Sequence, residues 1–151
     1  MRVIHISPRF EFGLKCSRIC GIIGLQIGIY KVDTQIMKEH IMNLTPAPLK
    51  KIREGRKTIE LRLYDEKRKT ISIGDTITFV NTENSNDTLS VMIKNLFVFN
   101  SFDELYKNLP LLKCGYTEDN VDKASPNDME MYYSKEKQSQ YGVIGIEIVL
   151  K

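Results

Sequence analysis

A run of seven residues, Thr58-Ile59-Glu60-Leu61-Arg62-Leu63-Tyr64, alternates apolar and polar side chains without a break. Period two is the signature of a β-strand, whose successive side chains point to opposite faces. Ile59, Leu61 and Leu63 are therefore expected against a core, with Thr58, Glu60, Arg62 and Tyr64 sharing the other face. That second face gathers a carboxylate, a guanidinium and a phenol, just after the basic turn Gly55-Arg56-Lys57.

The sequence around this strand reads as short elements separated by turns. His40 to Leu44 is a strand candidate, and Thr45-Pro46 then offers an N-cap with proline in the first helical turn. Leu49 and Ile52 lie three apart, Lys50, Lys51 and Arg53 make the other face basic, and Gly55 can end the helix in a left-handed conformation. Thr70 to Ile73 is a short strand candidate, Gly74-Asp75 a turn, Thr76 to Val80 a β-branched strand and Asn81 to Asp87 a loop. Leu89 to Phe99 is long enough for one strand with a bulge near Lys94-Asn95. Ser101 and Glu104 form a capping box for a helix that places Phe102, Leu105, Tyr106 and Leu109 on one stripe and stops before Pro110. Ser125-Pro126-Asn127-Asp128 opens a second helix, with Met129, Tyr132 and Tyr133 along one face, and Gly142 to Leu150 is a closing strand. Five to six strands with two to three short helices at intervals predict an α+β domain whose sheet curls into a small barrel. Parallel βαβ winding is disfavoured, because strands and helices do not alternate and no phosphate-binding glycine loop is present.

A chain of 151 residues, 42% hydrophobic and 27% charged, fits one globular domain. Residues 1–36 read as an N-terminal extension and 37–151 as the domain. The apolar, glycine-rich stretch Cys20 to Tyr30 is about half of the roughly 20 residues that span a bilayer. No small-residue cleavage site follows it, so neither a membrane anchor nor export is expected. Met37 is an alternative start. Three cysteines, Cys16, Cys20 and Cys114, form no even framework, which suits a reducing cytoplasm and free thiols. The net charge of +3 belongs wholly to residues 1–36, since residues 37–151 carry 17 basic and 17 acidic side chains. Within that neutral part, residues 50–69 hold nine Lys or Arg against four acidic residues, and such a local patch is what an anionic partner meets.

Gly55, Lys57, Glu60 and Arg62 fit a G-x-K-x-x-E-x-R pattern that, with the following Gly74-Asp75 turn and the closing strand, resembles the ASCH domain, a relative of the PUA RNA-binding domain. The resemblance covers residues 37–151. It implies a PUA-like small curled β-barrel with a cleft, and RNA or a nucleotide-like group as ligand. In a binding site, Lys57 and Arg62 would neutralise phosphate, with Thr58 beside them. Tyr64 or another aromatic would stack a base, Tyr133 and Ser134 would look into the cleft from a helix end, and Glu60 would orient Arg62 or accept a base amino group. Strict alternation puts Lys57 opposite Glu60, so this arrangement needs the turn to re-aim Lys57.

Two enzymatic readings follow from the same resemblance. In a ribonuclease, Glu60 would activate a ribose hydroxyl while Lys57 and Arg62 stabilise phosphorane charge, with Tyr133, Ser134 and Tyr141 as helpers. In an amidohydrolase acting on N4-acetylcytidine, Lys57 matches the family's lysine, but the position of its threonine nucleophile holds Glu60. Thr58 lies two residues away, about 6–7 Å along a strand, and does not replace it. A protein-interaction module is a further alternative, and the same three charged residues on a solvated strand would be worth only about 0–1 kcal/mol per pair. His5 and His40 are far apart and Cys16 and Cys20 lack partners, so no metal and no cofactor are expected. No obligate protein partner is implied.

Overall fold

The computed structural model describes residues 36–151. The expectations about the N-terminal extension, Cys16, Cys20 and His5 lie outside the described residues. Five strands, Glu39–Leu44 (β1), Ile59–Leu63 (β2), Thr76–Asn81 (β3), Thr88–Phe99 (β4) and Val143–Leu150 (β5), form one sheet in the order β1-β3-β4-β5-β2. β1 runs parallel to β3 and the other pairs are antiparallel. Three α-helices accompany them: Pro46–Arg53 (α1), Phe102–Asn108 (α2) and Lys135–Tyr141 (α3).

β4 makes the sheet curl. Its residues Thr88–Met92 pair with β3 and Val91–Phe99 with β5, and the register shifts between Ile93 and Asn95, as the sequence suggests. An extra residue on one side of a ladder bends the strand and raises its twist. The curl brings the two edge strands towards each other, and Arg62 of β2 donates from Nη2 to the Asn43 carbonyl of β1 at 2.8 Å. The barrel therefore has a seam between β1 and β2.

Two apolar clusters hold the two faces of the sheet. Inside the curl, Leu49 and Ile52 of α1 pack with Ile77, Phe79, Val91 and the β5 residues Ile144 and Ile146. Outside, Phe102 and Leu105 of α2 pack on Ile59, Leu61, Leu63 and Phe99. Both α2 side chains are fully buried, each worth about 1.5–3 kcal/mol. Ile59, Leu61 and Leu63 thus meet a core as their alternation predicts. Glu60 and Arg62 stand opposite Ile146 and Ile144 in the ladder, so the charged face of β2 turns into the barrel and not towards solvent.

The turns follow local chemistry. Gly55, at φ 73°, lets the chain leave α1 in the left-handed region open to glycine. Asp75 accepts from the backbone N–H groups of Lys38 and Ser72 and from His40 Nε2 at 2.8 Å, tying the start of β3 to β1. Two expectations fail. Thr70 to Ile73 is no strand, because Arg68–Thr70 form a single 3-10 turn in which the Asp65 side chain holds the Arg68 N–H and guanidinium. The second helix is also not continuous: a 3-10 turn with its capping box spans Pro126–Met129, and turns and the extended N-cap Ser134 (ψ 155°) separate it from α3.

Candidate functional site

The basic turn after α1 and the first residues of β2 converge where the seam is open. The N–H groups of Arg56 and Lys57 both bond the Lys51 carbonyl, which folds the turn back over the helix end. Lys57 is thereby re-aimed onto the face of Glu60, as the binding arrangement requires. Its Nζ lies 3.2 Å from Glu60 Oε2, and Arg62 Nε lies 2.8 Å from Glu60 Oε1. Glu60 is only 3% exposed, and the side chains of Lys57 and Arg62 are 11% and 14% exposed. This is a buried ion cluster and not a solvated pair.

Each cation is also fixed by a backbone carbonyl. Lys57 Nζ donates to Cys114 at 3.0 Å, Lys51 Nζ to Gly115 at 2.7 Å and Arg62 Nη2 to Asn43 at 2.8 Å. A Cβ on Gly115 would come within 3.1 Å of Lys57 Cδ, and its φ of 105° already favours glycine, so the lysine stem lies against a position kept bare. Burial opposes the charge on Arg62, yet Glu60 and the Tyr133 phenol beside it outweigh that and hold its pKa above the ordinary value.

These residues line a cleft of about 420 Å³, within the range of small-molecule sites. Asn43 contributes from β1, Glu60 and Arg62 from β2, and Lys51 from α1, while Tyr106, Tyr116, Tyr132 and Tyr133 form an aromatic wall. Tyr133 stacks on Phe102 with ring centroids 6.1 Å apart and planes 16° from parallel, which fixes it. Tyr132 is 62% exposed. Tyr106 and Tyr116 share a 2.8 Å hydroxyl contact, and Tyr116 donates to Asp128 at 2.9 Å. Cys114 also lines the cleft, but burial pushes its thiol up to about 11, so it stays protonated at neutral pH and is a poor nucleophile.

Of the residues singled out in the sequence, Lys57, Glu60, Arg62 and Tyr133 come together here. Thr58, Tyr64, Ser134 and Tyr141 are not among the lining residues. Thr58 spends its backbone on Lys113 and Ile148, Tyr64 packs against the inner cluster, Tyr141 against the outer one, and Ser134 caps α3 on the surface. Asn43, Lys51, Tyr106, Cys114 and Tyr116 carried no local signal. Lys51 read as part of a basic helix face and Tyr106 as part of a core stripe, and only the closure of the seam gives them a common site. Among the described residues no group of three His, Cys, Asp or Glu side chains is placed to hold a metal ion.

A sheet curled around an apolar core, with short helices beside it and a charged cleft at its seam, makes this a small α+β domain. The ASCH domain model matches residues 42–151, and the chain belongs to that family. Among solved structures it is similar to the hypothetical protein PH0355, at 32% identity over 76% of this chain and 100% of the other, with a TM-score of 0.60. The protein PF0455 from Pyrococcus furiosus is 34% identical over 74% of this chain and 96% of its own, with a TM-score of 0.58. ASCH from Zymomonas mobilis, at 15% identity, 74% and 67% coverage and a TM-score of 0.51, shares the fold. No curated protein matches the chain. Among the described residues no helix is long and apolar enough to cross a membrane.

Proposed function

We propose that residues 37–151 form an RNA-binding domain that takes one nucleotide of a single strand into the seam cleft, in a reducing cytoplasm. The observation that carries this reading is the buried, pre-positioned Lys57-Glu60-Arg62 cluster facing an aromatic wall in a cleft large enough for a nucleoside. Three cations, Lys51, Lys57 and Arg62, line the cleft with one carboxylate, an excess that favours an anion. Their carbonyl anchors hold them in place before a ligand arrives, so little ordering cost remains. Tyr132 presents an exposed ring at the mouth, where a base can stack for about 1–3 kcal/mol.

Fluorescence anisotropy with labelled single-stranded RNA hexamers across a salt series tests this. Affinity should fall with salt, Tyr132→Ala should weaken it at every salt, and Lys51→Ala should weaken it and flatten the salt slope. Titrations unchanged by both substitutions would refute cleft binding. A hydrolytic reading has one specific observation in its favour. Glu60 Oε2, buried beside Lys57, accepts no hydrogen bond among the described residues, which suits a base next to a charge-stabilising cation. RNA cleavage by the wild type that persists in Glu60→Gln would exclude that role.

A further inference from the structure

We infer that the cleft prefers a nucleotide whose phosphate is a terminal monoester to one joined by phosphodiesters on both sides. This rests on the RNA-binding reading above and adds to it the chemical form of the phosphate.

The first observation is the charge of the lining. Lys51, Lys57 and Arg62 stand there against Glu60, which leaves two positive charges uncompensated. Glu60 lies 3.2 Å from Lys57 and 2.8 Å from Arg62, so one carboxylate is shared by two buried cations. Lys51 forms no ion pair among the described residues and rests on the Gly115 carbonyl at 2.7 Å. Burial pushes the Cys114 thiol up to about 11 and holds the Tyr106 and Tyr116 phenols protonated, so none of these cancels the excess. Asp128, which accepts from Tyr116, is not among the lining residues. Uncompensated charge is costly under burial, and a doubly charged anion removes it where a singly charged one leaves a cation over. A phosphate monoester is close to doubly charged at neutral pH, and a diester carries one charge.

The second observation is the set of donors. Lys51 and Lys57 are tethered to the carbonyls of consecutive residues, Gly115 and Cys114, so one turn presents both ammonium groups. An ammonium has three protons and a guanidinium five N–H bonds. Lys51 gives one proton to Gly115, Lys57 gives one to Cys114 beside Glu60, and Arg62 gives one to Asn43. Each cation therefore keeps a proton for a ligand. A monoester offers three free oxygens to these three donors, whereas a diester offers two, because its other two oxygens carry the chain.

The test is anisotropy on the full chain with labelled cytidine hexamers ending in a 5′-phosphate, a 3′-phosphate or hydroxyls only. A hydroxyl-ended octamer, matched in total charge to the phosphorylated hexamers, controls for non-specific attraction. At about pH 7.5 one phosphorylated hexamer should bind at least about tenfold more tightly than both hydroxyl-ended strands, the worth of one added hydrogen bond to a charged group. The ratio should shrink at about pH 5.5, where most of the monoester has taken up its second proton. Lys51→Ala should weaken every strand and the phosphorylated one most. Cytidine monophosphate, which carries the monoester without a strand, should displace the hexamer where cytidine does not, and the concentration needed tells a strand end from a free nucleotide. Equal affinities at equal charge would overturn the inference, as would a preference left unchanged by Lys51→Ala or by the lower pH. In those cases RNA binding itself stands. Absence of binding to every strand would overturn the RNA-binding reading and this inference with it.

Discussion

Replacing Glu60 by glutamine removes one charge and almost no volume, and so isolates the electrostatics of the buried cluster. In the wild type the carboxylate lies 2.8 Å from Arg62 Nε and 3.2 Å from Lys57 Nζ, at 3% exposure. Unit charges about 4 Å apart interact by roughly 1 kcal/mol in water and about 4 kcal/mol at the effective dielectric of a protein surface. Removing one partner of a buried pair typically costs about 3–5 kcal/mol, because the survivors are left uncompensated. Here Lys57 and Arg62 keep their carbonyl partners at Cys114 and Asn43, which places Glu60→Gln at the low end, about 3 kcal/mol. With a urea m-value of roughly 1–3 kcal/mol/M, the midpoint should drop by about 1–3 M while m stays constant. The same substitution in a Lys57→Met background should cost less, since one of the two cations is already gone. A loss below about 1 kcal/mol in the wild-type background, the worth of an exposed pair, would refute the buried cluster.

Asp75 gives a pH prediction. Burial works against its ionised form, but the hydrogen bonds from His40 and from the Lys38 and Ser72 N–H groups outweigh burial and hold the carboxyl below the usual carboxylate range. A depressed folded pKa contributes stability that is present above the unfolded value near about 3.9 and is lost as pH falls through the folded one. Asp75→Asn should therefore be less stable than wild type at pH 7, with the gap closing as urea midpoints are measured at successively lower pH below about 4; a gap independent of pH would contradict this. Cys114 should resist iodoacetamide at about pH 8 in a Cys16→Ser/Cys20→Ser background, because only thiolate reacts and burial keeps this thiol protonated. It should react readily once the chain is unfolded in guanidinium, and equal rates in the two states would show that it is not buried.

The period-two run of β2, the bulge in β4 and the Ser101 cap of α2 were legible because each is local. Alternation, an irregular apolar spacing and a side chain bonding Glu104 N–H all act within a few residues. The direction of the charged face was not legible. Periodicity says that Glu60 and Arg62 share a side, but whether that side meets water depends on the curl, which brings β1 opposite β2 and places Ile144 and Ile146 behind it. The aromatic wall was hidden for the same reason. Tyr116 and Tyr133 stand 17 positions apart in irregular backbone, and they meet the charged strand only through tertiary closure. The helix expected through Tyr133 is instead a single 3-10 turn that ends at Met129, with turns and the extended N-cap Ser134 separating it from α3, a break that no apolar period reveals.

The central claim is that ligand enters the seam between β1 and β2. Amide chemical-shift mapping of the isotope-labelled chain during titration with a single-stranded cytidine hexamer tests it most directly. Shifts concentrated at Lys57, Glu60, Arg62, Cys114–Tyr116 and Tyr132–Tyr133 are the predicted result. Shifts confined to other surfaces, or none at saturating RNA, would contradict it.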